Sequence, residues 1–123
     1  MKLEQQVVSL ELAKKLKELG VKQESEFYWT EFFGDRYEIK HKDFASGGQT
    51  GNCSAFTVAE LGEMLPDGYV AVKQPDGWYH GDYAHDLEDG IFVNTHLGSN
   101  ADTEADARAK MRIYLLENNL INN

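Results

Sequence analysis

The sequence predicts an α+β domain, with one antiparallel sheet of about four to five strands packed by three helices. Two segments, 26–42 and 68–95, are rich in aromatic and β-branched residues and are broken by turn signals. Three others, 9–19, 57–64 and 103–118, carry apolar residues at helical spacing between capping residues. The chain has 123 residues, the size of a single domain, 1–123, with enough apolar content for its own core.

The last helix is the element the rest must cover. Thr103 is placed as its N-cap, and Asp106 stands where a capping box puts Glu. Glu104 and Asp106 lie in the first turn, where the helix dipole favours negative charge. Its apolar residues fall into two stripes: Ala107, Met111, Tyr114 and Leu115, then Ala109, Ile113, Leu116 and Leu120. Two stripes mean burial on more than one side.

In the helix 9–19, Ser9 is the expected cap, and Leu12, Ala13, Leu16 and Leu19 form the apolar stripe. Gly20 sits at the C′ position, with Val21 placed for the closing contact of a Schellman motif. Lys14, Lys15 and Lys17 read as a solvated face near the C-terminus, where they complement the dipole.

The segment 26–42 predicts a β-hairpin. Gly34-Asp35 suits a two-residue turn with Gly first. That register puts Tyr28, Thr30 and Phe32 on one face with Tyr37, Ile39 and His41. The other face carries Phe27, Trp29 and Phe33 with Arg36, Lys40 and Lys42. Trp29 opposite Lys40 would form a cation–π pair worth about 0.5–1 kcal/mol. Both faces are partly apolar, so the pattern specifies the register only weakly.

The stretch 45–54 predicts a loop; it lacks the Gly-Lys-Ser/Thr of a phosphate-cradling P-loop. Its single cysteine, Cys53, has no histidine at a family-type spacing and reads as an inert thiol. Thr57 and Glu60 make a capping box, and Phe56 with Leu61 a hydrophobic staple, for the middle helix. Tyr69 to Lys73 reads as a strand, Pro75-Asp76-Gly77 as a turn, and Trp78 opens the return strand. The residues 81–89 read as acidic and irregular, and Ile91-Phe92-Val93 as a short strand.

The net charge of −9 argues against sequence-independent binding to nucleic acid and to anionic membrane. No segment approaches the ~20 apolar residues of a membrane span. The charged N-terminus lacks the apolar run of a signal peptide, so a cytoplasmic protein is expected. One cysteine excludes a disulfide framework and a CxxC metal knuckle. His80, Asp82, His85 and Asp86 form the one metal-like cluster, at spacings matching no fixed motif. The expectation is therefore no catalytic residue, no metal and no cofactor.

A local positive patch on so acidic a chain would focus an anionic ligand. The expected ligand-binding residues are Trp29, Arg36, Lys40, Trp78, Tyr79 and His80, on the first hairpin and the adjoining segment 78–85 and not on the first helix, with flat indole and phenol faces for a base to stack on.

The strings SLELAKKLKELGVKQESEFYW, AFTVAELGEMLP and TEADARAKMRIYLLEN resemble a family of small uncharacterised proteins from bacteriophages and prophages of gut bacteria. The blocks keep the family's order, cover less than half of the chain, and mark helices and caps rather than a site. The family's middle is variable, and here it reads PDGWYHGDYAHDLEDGIFV. The resemblance carries no catalytic motif. It implies a phage origin and an accessory role in the cytoplasm of a bacterial host, which favours counter-defence. The expected function is binding without catalysis: sequestering a small, nucleotide-like anionic signal, or occluding a host defence protein. A hydrolase-like enzyme using the segment 80–86, an acidic mimic of nucleic acid, and a homo-oligomer stay open.

Overall fold

The computed structural model describes residues 2–32, 36–45, 51–66, 69–86, 90–95 and 101–121. The fold is α+β. In chain order it holds α1 (Leu3–Gln6), α2 (Leu10–Glu18), β1 (Phe27–Phe32), β2 (Arg36–His41), β3 (Cys53–Ser54), α3 (Val58–Met64), β4 (Tyr69–Gln74), β5 (Gly77–Asp86), β6 (Gly90–Thr95) and α4 (Glu104–Glu117). The three expected helices are present, and the four-residue α1 precedes them.

The strands do not form one sheet. They form two antiparallel three-stranded sheets, ordered β2-β1-β3 and β4-β5-β6. α4 contacts α1, α2 and α3, and also β4 and β5 of the second sheet. Ala105, Ala109 and Ile113 of α4 join one core cluster with Ala13 and Leu16 of α2 and with Phe56 and Leu61. Ala107, Met111 and Leu115 are also buried, outside that cluster. Burial on more than one side thus holds for α4, but Tyr114 and Leu120 depart from their stripes and are exposed. Leu120 lies past the end of α4 at Glu117, and Tyr114 lies on an uncovered side between the buried Ile113 and Leu115.

The caps explain the helix ends. Thr57 Oγ1 accepts the Glu60 N–H at 3.2 Å, and the Glu60 carboxylate accepts the Thr57 N–H at 2.9 Å. Phe56 and Leu61 are fully buried beside this box. Thr103 Oγ1 accepts the Asp106 N–H at 3.2 Å. α2 closes with Val21 N–H donating to the Leu16 carbonyl and Gly20 N–H to the Lys17 carbonyl, while Gly20 sits at φ 88°. That is the Schellman pattern. α4 closes the same way: Asn119, at φ 57°, donates to Leu116, and Leu120 donates to Leu115. Asn replaces Gly there because its short side chain tolerates the left-handed region.

Ser9 differs from expectation. It occupies the N-cap position of α2, but its side chain makes no cap hydrogen bond. Its backbone N–H donates instead to Asp106 Oδ1 of α4 at 2.7 Å.

The first hairpin forms in a shifted register. Phe32 pairs with Arg36, leaving 33–35 between them, so the connection exceeds the two residues of Gly34-Asp35. Trp29 therefore stands opposite Ile39, and Tyr28 opposite Lys40. Directly opposed residues share a face. The predicted face of Trp29 with Arg36 and Lys40 does not exist, nor does the Trp29–Lys40 cation–π pair. With apolar residues on both faces, the pattern specified the register only weakly, and Gly34-Asp35 itself lies outside the described residues.

Two further segments gain structure. Within 45–54, Cys53–Ser54 is a strand, pairing with Trp29 and Tyr28 of β1; residues 46–50 lie outside the described residues. Within 81–89, residues 81–86 continue β5 and pair with β6, while 87–89 lie outside the described residues. A pairing strand supplies partners to backbone groups that an isolated polar run cannot satisfy, which is why composition alone read as loop.

Candidate functional site

The six residues expected to bind a ligand are dispersed. Trp29 is half-buried against the core cluster, and its indole N–H donates to the Val8 carbonyl at 2.9 Å. Arg36 is exposed at the start of β2. Lys40 pairs with Glu38 at 3.3 Å. Trp78 lies in the second sheet, opposite Lys73, and bridges to Ala101. The Tyr79 hydroxyl donates to Asp76 Oδ2 at 2.6 Å, and that hydrogen bond raises the phenol pKa above its ordinary value. His80 is placed by its backbone, opposite Ala71; its side chain, like those of Asp82, His85 and Asp86, lies outside the described residues.

A positive and aromatic surface does form, elsewhere on the hairpin. α2 presents Lys14 and Lys17 at i,i+3, which puts both on one helix face. β2 presents Tyr37 to that face. The Lys14 ammonium sits 4.6 Å from the Tyr37 ring centroid, within cation–π range. The shifted register allows this, because it puts Tyr37 on the Trp29 and Ile39 side of the hairpin.

Lys17 is held from the other side. Its ammonium donates to the Asn52 backbone carbonyl at 2.6 Å. Asn52 is itself buried, and its Oδ1 accepts the Glu31 N–H at 3.3 Å. Gly51 before it has φ 86°, in the left-handed region. A side chain there would be strained and would also meet the Glu31 carboxylate.

Lys14, Lys17, Glu18, Tyr37 and the run Gly51-Asn52-Cys53 line a cavity of about 460 Å³. That volume falls within the ~300–1,000 Å³ of small-molecule sites. Burial raises the Cys53 thiol pKa, against a smaller lowering by Lys17 and Lys14. At 1% exposure the thiol is a neutral floor rather than a nucleophile. The lining holds no histidine to act as a general base. Its chemistry is that of a charge clamp: two ammoniums, a phenol and a polar backbone, with the Glu18 carboxylate beside them.

Beside a hollow of about 630 Å³ lined by Thr57, Val58, Glu104 and Arg108 among others, two further hollows that adjoin α4 are acidic. One, about 370 Å³, is lined by Trp78, Val58 and Gln5 with Asp102, Thr103 and Glu104. The other, about 270 Å³, is lined by Asp102 and Asp106 with Glu11 and Lys110 among others. Among the described residues no group of three or more His, Cys, Asp or Glu is placed to hold a metal, and no helix is long and apolar enough to cross a membrane.

Sequence reasoning missed the groove because Lys14 and Lys17 fit a solvated face so well. Their i,i+3 spacing was a visible signal. Tyr37 as their partner was not visible, since it depends on the register.

Comparison of the chain with family models, with curated proteins and with solved structures returned no match.

Proposed function

We propose that this is a small phage-type accessory protein that binds a small anionic ligand without turning it over, at the groove between α2 and the first hairpin. The observation that carries the proposal is the Lys14 ammonium fixed 4.6 Å from the Tyr37 ring, with Lys17 one helical turn away. On a chain of net charge −9, two ammoniums against the one carboxylate of Glu18 leave this cavity with a local excess of positive charge, which favours an anion. Counter-defence in the host cytoplasm, by sequestering a nucleotide-like signal, is the role that fits a cavity whose two ammoniums are placed to hold an anion.

A second function is supported by a different feature. The acidic hollows around Trp78, Asp102 and Glu104 complement a basic surface, which suits occlusion of a host defence protein.

Titration of the pure protein with nucleotides, followed by chromatography of the recovered ligand, separates binding from catalysis. Stoichiometric return of unchanged ligand is expected. Conversion of the ligand would establish an enzyme and overturn the proposal.

A further inference from the structure

We infer that the groove selects a single terminal phosphate monoester, of mononucleotide size, over phosphodiesters and over longer chains of phosphate. The inference rests on the preceding assignment of the groove as an anion site, and deepens it.

Donor supply comes first. An ammonium carries three hydrogens. Lys17 uses one on the Asn52 carbonyl, which fixes its head and leaves two directed elsewhere. Lys14 makes no ion pair or hydrogen bond among the described residues; the Tyr37 ring alone positions it. Two fixed ammoniums match a doubly charged phosphate monoester better than a singly charged diester, because each charge–charge contact scales with the ligand's charge.

The flanks then set the length. Glu18 lines the same cavity, and the Glu31 carboxylate packs against Gly51, another residue of the lining. A second phosphate adds negative charge beside these two carboxylates. Like charges oppose it, so the positive stretch accepts one phosphate and repels a chain.

The ring's role is also constrained. Lys14 occupies one face of Tyr37, so that face is closed to a stacking base. Recognition is by the phosphate end, and a base adds affinity only by filling the remaining volume.

The experiment is a calorimetric titration with adenosine 5′-monophosphate, adenosine 5′-triphosphate, inorganic phosphate, 3′,5′-cyclic adenosine monophosphate, adenosine and a short single-stranded oligonucleotide. The triphosphate should bind more weakly than the monophosphate, and equal or tighter binding would overturn selection against a chain. The monophosphate should bind, with adenosine and the cyclic diester weaker by about tenfold or more, the size of one lost charge-assisted contact. Lys14→Gln should lower the affinity by a similar factor while lowering the melting temperature by only a few degrees, since Lys14 holds no hydrogen bond and gives up one exposed cation–π contact. Lys22→Gln, at an exposed pair with Glu24, serves as the control and should change nothing. Binding of inorganic phosphate as tight as the monophosphate would show an oxyanion site without use of the organic part, and would overturn selection by size. Equal or tighter binding of the cyclic diester or the oligonucleotide, still lost in Lys14→Gln, would overturn this inference and keep the groove. Absence of binding by every probe, or binding unaffected by Lys14→Gln and Lys17→Gln, would overturn both.

Discussion

Asp106 of α4 accepts the backbone N–H of Ser9 at 2.7 Å, across 97 residues of sequence. The start of one helix is thereby capped by the side chain of another. Ser9, the residue with the right chemistry, does not cap itself. Asp106→Ala should destabilise the fold by about 1.5–3 kcal/mol, the range for a hydrogen bond to a charged group. Ser9→Ala should cost less than about 0.5 kcal/mol, as for a substitution that touches no special feature. Chemical denaturation of the two variants measures the difference, and equal losses would mean that the Ser9 hydroxyl matters after all.

Thr57→Ala removes the N-cap acceptor of α3 and half of a reciprocal capping box. A loss of about 1 kcal/mol is expected. Glu60→Ala should cost at least as much, because the same carboxylate also accepts the Glu26 N–H at 3.1 Å and so ties α3 to the start of the hairpin. A thermal midpoint for Thr57→Ala equal to that of the parent would remove the capping argument.

Trp29→Phe keeps an aromatic ring against the core but leaves the Val8 carbonyl without its indole donor. The expected loss is about 1–3 kcal/mol, the cost of orphaning a partly buried acceptor. The same substitution should leave anion affinity unchanged, since Trp29 does not line the groove. Unaltered stability together with lost affinity would return Trp29 to the binding surface expected from sequence.

These cases show what the residues alone revealed. Caps were legible where donor and acceptor sit three residues apart, as in Thr57–Glu60 and Thr103–Asp106, because a helix end is a local problem. The Schellman close at Gly20 was legible for the same reason. The hairpin register was not. Gly34-Asp35 looked like a complete turn, and apolar residues on both faces gave no pattern strong enough to correct the slip. The division into two sheets was not legible either, since strand composition does not say which strands pair. The site depended on both. Lys14 and Lys17 were visible as a pair, but Tyr37 meets them only in the observed register.

Tyr79 should titrate above the ordinary tyrosine range, because its hydroxyl donates to Asp76 at 2.6 Å and the ionised phenol loses that bond. The sign follows from linkage. A pKa raised in the folded state contributes stability that is present below the unfolded tyrosine value and is lost as pH rises through the folded one. The contribution therefore disappears only on the alkaline side, and it is small because the group is fully exposed. Asp76→Asn should move the Tyr79 transition back toward the ordinary value in an ultraviolet absorbance titration. An unmoved transition would show that Asp76 is not its cause.

The groove between α2 and the hairpin is tested most directly by mapping where an anion touches the protein. Amide chemical-shift perturbation on addition of adenosine 5′-monophosphate, with the Lys14→Gln variant as comparison, locates the contact residue by residue. Saturable shifts centred on Lys14, Lys17, Tyr37 and Gly51 to Cys53, saturating only at about tenfold higher ligand concentration in Lys14→Gln, are expected. Shifts centred instead on Trp78 and Asp102 to Glu104, or no saturable shifts at all, would contradict the assignment of the groove as the ligand site.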